Sequence, residues 1–93
     1  MDDRLFRVRD IVAQLKEQRA HVAEGRRVLE AVISYGSELA RLFPTGDLRD
    51  IAVQFRDRGV AMYAGSKDNV EAVSDLLEGV IAQLEPHVAL RTA

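Results

Sequence analysis

Residues 43–47 read Phe43-Pro44-Thr45-Gly46-Asp47, the only internal stretch where proline and glycine cluster. The stretch decides the fold because it sits at the middle of a 93-residue chain whose two halves both carry helical periodicity. Pro44 disfavours the helical region for Phe43 and so ends a preceding helix. Asp47, or alternatively Thr45, can cap a following helix, and Asp50 suits its first turn.

Upstream, apolar residues fall at Leu5, Val8, Val12, Leu15, Val22, Leu29, Ile33, Ala40 and Phe43. The steps are three, four or seven, which makes one stripe on a helix. Polar residues fill the other faces, with supporting pairs such as Asp10–Gln14 and Glu17–His21. Downstream the stripe runs Leu48, Ile51, Ala52, Phe55, Gly59, Met62, Ser66, Val70, Val73, Leu77, Val80 and Leu84. Gly65-Ser66 resembles a helix break followed by a serine cap, and a three-helix version stays open on that ground. At about 100° per residue, however, the stripes before and after Gly65 coincide on one face, which a loop would normally scramble.

The preferred reading is therefore a single all-α domain. It has a helix over about 3–43, a turn at 44–47, a helix over about 48–85 with room for a kink near Gly65, and a short tail from Pro86. Arms of this length span roughly 60 Å and pack antiparallel. Two helices share one seam, and one seam makes a thin core. The long antiparallel hairpin is thus expected to assemble into a helical bundle, as a homodimer or larger helical assembly, or with a protein partner.

Composition excludes several function classes. Apolar residues at 47% and charged ones at 30% argue against disorder. Residues 1–43 carry eight basic and seven acidic groups, and residues 66–93 two basic and five acidic. That balance lacks the basic footprint of a nucleic-acid binder. Cysteine is absent, which removes disulfides, thiolate metal sites and cysteine nucleophiles. No apolar run reaches membrane-spanning length, and Met1-Asp2-Asp3-Arg4 does not open a Sec signal. A cytoplasmic protein without membrane contact is expected.

Arg19 and Arg26 are the most unusual residues, seven apart in the first stripe where valine or leucine would continue it. With the turn near Thr45, residue i lies roughly opposite residue 90 minus i, which puts both arginines against the stretch holding Ser66 and Asn69. Arg19, Arg26, Ser66 and Asn69 therefore form a candidate site for an anion or acidic partner. Two plainer readings compete: the arginines snorkel to water, or the polar layer only sets register. Gly36 and Gly59 are near-opposite on the same rule and would let the backbones approach closely, while Gly25 and Gly65 flank the polar level. Val53 and Val60, seven apart on the opposite face, offer a minor second contact surface.

Catalytic and cofactor chemistry finds no footing. Glu17, His21 and Glu24 are spaced for a surface metal site, yet exposed helix pairing accounts for them. No Glu-x-x-His motif of the di-metal bundles occurs. Ser34, Ser37, Ser66 and Ser74 lack an activating base at helical reach, and the six glycines form no phosphate loop. No metal, cofactor or enzymatic activity is expected.

A hairpin of this length with its turn near mid-chain resembles the WXG100 family of small helical proteins. The resemblance covers most of the chain in architecture and implies a non-enzymatic, dimeric hairpin. Phe43-Pro44-Thr45-Gly46 stands where that family has Trp-x-Gly. The family's Tyr-x-x-x-Asp/Glu export signal is missing, since Tyr63 is followed by Lys67 and Tyr35 by Leu39, so export is not carried over. The functional expectation is a non-enzymatic interaction or scaffold protein. The alternative is a small-ligand or anion-binding module centred on the polar layer.

Overall fold

Pro44 and Gly46 end one helix and begin the next. In the computed structural model, which describes residues 3–92 and the side-chain surroundings of residues 3–88, two helices flank the turn. Helix α2 spans Gly25–Leu42 and α3 spans Asp47–Ala64. The Phe43 amide closes α2 on the Leu39 carbonyl at 2.9 Å. Gly46 (φ 98°, ψ −174°) lies in a region that other residues essentially do not occupy, and it holds the cap position of α3. The expected aspartate or threonine cap is therefore not used. Asp47 is already helical, and Asp50 lies in the first turn as anticipated.

The all-α class and the antiparallel hairpin are present, and α2–α3 is the most extensive contact in the chain. Its register follows the sequence rule. A Cβ on Gly36 would meet the Arg56 Cβ at 2.9 Å, and one on Gly59 would meet Ile33 at 3.0 Å. These two glycines let the helices close on each other.

The arms themselves are not straight. The expected helix over 3–43 is two helices, α1 (Arg4–Glu17) and α2, joined by a 3₁₀ turn at Gln18–His21. Glu24 leaves helical geometry (φ −99°, ψ 66°), and Gly25 is buried so closely that a Cβ there would lie 2.1 Å from the Asp68 carbonyl oxygen. The expected helix over 48–85 is likewise α3 and α4 (Val70–Thr92).

The second break has a defined chemistry. The Lys67 amide reaches the Met62 carbonyl at 2.8 Å, and the Ser66 amide reaches that of Tyr63 at 3.3 Å. This pairing is a Schellman ending, whose left-handed residue is usually glycine. Here it is Ser66, at φ 54°, while Gly65 stays right-handed at φ −89°. Ser66 thus ends α3 and caps nothing. Asn69 caps α4 instead, accepting the Ala72 amide on Oδ1 at 2.9 Å. Helix α4 also passes through Pro86 where an ending and a tail were expected. Pro86 and Ala82, whose carbonyl loses its amide partner to the proline ring, both lie on the exposed side of the helix. Met1, Asp2 and Ala93 lie outside the described residues.

Folding the arms back replaces the single seam with a closed core. The molecule measures 40 × 24 × 15 Å, with a radius of gyration of 12.7 Å, in place of a rod of roughly 60 Å. Bundle packing is found, but within one chain. Residues off the sequence stripes, including Ile11, Val28, Val32, Leu39, Leu76 and Ile81, are buried beside those on it. Helix α4 supplies Val73, Leu76, Leu77, Val80, Ile81 and Leu84, and packs on α1, α2 and α3. Gly79 leaves room for the Phe55 ring, 3.2 Å from where a Cβ would stand.

Candidate functional site

The polar layer read from the sequence separates into distinct ties between helices. The Arg19 guanidinium grips Glu78 of α4 in a fork, Nε to Oε2 at 2.8 Å and Nη2 to Oε1 at 2.7 Å. Arg26 lies over the Tyr63 ring of α3, 4.2 Å from its centre. The Tyr63 hydroxyl in turn donates to Glu30 Oε1 at 3.1 Å. Both arginines are exposed, so neither interrupts the core. Arg26 shares a level with the 65–69 segment, as Gly25 against Asp68 shows. Arg19 is engaged on a different helix. Ser66 and Asn69 have backbone roles.

Further ties have no counterpart in the sequence reading. Arg7 forks onto Glu38, with Nη2 to Oε1 at 2.8 Å and Nε to Oε2 completing the pair. Lys16 Nζ meets Glu85 at 2.7 Å. Arg4 donates to the Leu42 carbonyl at 2.8 Å and lies over Phe43. Only folded arms bring these residues together, because straight arms would put residue 7 near residue 83. Among the described residues no polar or charged side chain is buried. The charged groups serve as surface clasps holding α1 and α4 against the hairpin.

The clasps leave an acid signature. The hydrogen bond from Arg7 holds the Glu38 carboxyl below its usual range, and that from Arg19 does the same for Glu78. A carboxyl depressed in the folded state stabilises fully above its unfolded value, about 4.3. The contribution is lost as pH falls through the folded value. Melting temperature measured from about pH 6 down to about pH 3 should therefore fall less steeply in Glu38→Gln/Glu78→Gln than in the wild type. The Arg19–Glu78 pair is half exposed, at 48% and 51%, and the Arg7–Glu38 pair somewhat less, at 42% and 27%. Near neutral pH the double variant should change little in stability, because salt bridges between exposed side chains contribute little.

Of the Glu17–His21–Glu24 spacing, His21 and Glu24 come within hydrogen-bond reach of each other. His21 Nδ1 lies 3.1 Å from Glu24 Oε2, and Arg27 lies 3.6 Å from the same oxygen. No group of three metal-ligating side chains forms among the described residues. A shallow, open groove of about 300 Å³ between α1 and α4 is lined by Arg9, Val12, Ala13, Lys16, Glu85 and Val88. Among the larger apolar side chains, Phe6 is 50% exposed, Val60 48% and Val70 52%. Val53, paired with Val60 in the sequence reading, is half-buried. No described helix is long and apolar enough to cross a membrane. No protein family matches the chain, and neither does any curated protein or solved structure.

Proposed function

We propose that this protein is a non-enzymatic helical interaction module that acts in the cytoplasm by self-association or by holding a helical partner. The observation that carries the reading is the apolar spacing itself. From Met62 to Val73, eleven residues or about three helical turns, the apolar phase is kept across the break at 65–69, although the chain bends there. One pattern thus suits both the folded arm and a straight one, and a straight arm needs helices from another molecule to cover it. The likeness to WXG100 proteins belongs to this proposal and rests on the hairpin alone.

The arginines of the polar layer are occupied by Glu78 and Tyr63. Any anion at Arg19 would have to displace a carboxylate already held by two hydrogen bonds, so the interaction reading is preferred over an anion-binding module. Sedimentation equilibrium at micromolar concentration should show a dimer or larger species, with melting that rises with concentration. A monomer at every concentration, melting at one temperature, would contradict self-association.

A further inference from the structure

The segment 65–69 joins α3 to α4 and differs in kind from the turn at 43–46. No proline stands in it, and residues 65, 66, 67 and 69 are exposed. Ser66 is the only described residue other than glycine with a positive φ, and a side chain pays a steric penalty there that it would not meet in a helix. The segment also keeps helical phase. Phe55, Gly59 and Met62 before it continue through Ser66 to Val73 and Leu77 at the spacing of one uninterrupted helix. Bent, it returns α4 onto its own chain. Straightened, it would release Ser66 from the left-handed region and add helical backbone bonds, at the loss of the Schellman pairing and the Asn69 cap.

Releasing α4 alone would uncover much of the core, and the surface that fits the vacated place is another α4. We infer that α4 is an exchangeable arm. Two copies open at 65–69, α3 and α4 join into one helix in each, and every α4 packs on the α1–α2 layer of the second copy. This inference rests on the self-association reading above and names the second copy as the partner. The exchanged dimer rebuilds the contacts that α4 makes in the closed chain, apart from those of the 65–69 segment itself, which is why swapping is a low-cost route to dimers. Lys16–Glu85 and Arg19–Glu78 become ties between chains. The bend at 18–24 stays folded, because half-buried Val22 packs against the core there.

The Lys16–Glu85 contact at 2.7 Å supplies the readout. A carbodiimide couples a lysine amine directly to a carboxylate in contact with it. Unlabelled and heavy-nitrogen wild-type chains are unfolded together, refolded at high concentration and separated by size. The dimer fraction is cross-linked and its Lys16–Glu85 peptide weighed by mass spectrometry. Exchange predicts that about half of these peptides carry one light and one heavy strand, as random pairing of two species gives. Same-label peptides alone, in a dimer that persists, would overturn exchange while leaving self-association intact. Absence of any dimer would overturn both. The hinge variant Gly65→Ala/Ser66→Ala/Asn69→Ala, which favours a continuous helix, should raise the dimer association constant by roughly tenfold or more, since each chain contributes its helix propensity once. Ser66→Gly, which relieves the bent form, should lower it. An unchanged constant in both variants would also overturn the proposal.

Discussion

Leu76→Ala should lower stability by about 3–4 kcal/mol, within the range for removing a fully buried leucine. Leu76 lies off the apolar stripe of the sequence, yet it is 0% exposed in the fold because α4 packs against three other helices. Domains of this size lose about 4–8 °C of melting temperature per kcal/mol, so the fall should exceed about 12 °C. Total stability for such a chain is about 5–14 kcal/mol, which makes this one of the most damaging truncations available. Val60→Ala is the control: at 48% exposure it should stay within about 0.5 kcal/mol of the wild type. Equal, small effects at both positions in thermal melts would mean that α4 does not fold back.

The second large effect is expected at Gly25. An alanine there would set its Cβ 2.1 Å from the Asp68 carbonyl oxygen and 3.0 Å from the Asp68 Cβ. The obstacle is backbone, which cannot swing aside as a side-chain tip can. Overpacking of this kind costs about 1–3 kcal/mol and sometimes more, and Gly25→Ala belongs at the upper end. Its contrast is Gly65→Ala, where the nearest atom is the Ala61 carbonyl oxygen of the same helix at 3.3 Å and φ is right-handed. Chemical denaturation of both variants should show a large fall in midpoint for Gly25→Ala and a small change for Gly65→Ala. A neutral Gly25→Ala would place α2 and the 65–69 segment farther apart than described.

The central hairpin was legible in the sequence because its cause is local. Pro44 and Gly46 impose a turn whatever surrounds them, and equal arms then fix register. Gly36 against Arg56, Gly59 against Ile33 and Arg26 over Tyr63 all follow from that count. The bends were hidden by phase. Five residues at 65–69 preserve the helical spacing, so a test that looks for scrambled phase passes over them. Gly65 drew attention as the break, while the left-handed residue is its neighbour Ser66, an uncommon choice at that position.

The width of the apolar stripes carries a further signal. Ile11, Val28, Val32, Leu39, Leu76 and Ile81 widen each apolar stripe beyond the narrow seam of a two-helix coil. A face that broad belongs to a helix with several neighbours, which is what folded arms provide. The ion pairs could not be read at all. Arg7–Glu38 and Lys16–Glu85 join residues that a straight hairpin holds apart, and nothing in their local sequence marks them. The candidate layer of Arg19, Arg26, Ser66 and Asn69 was found as a polar level, but its members serve separate ties and caps.

Association by exchange presupposes that a dilute single chain folds both arms back and buries α4 in its own core. Small-angle X-ray scattering at concentrations low enough to hold the monomer tests that directly. A compact particle is predicted, with a radius of gyration close to the 12.7 Å of the Cα trace plus its side-chain and hydration shell, and a longest dimension near 40 Å. A rod-like profile extending to roughly 60 Å, the span of two straight arms of forty residues, would contradict it.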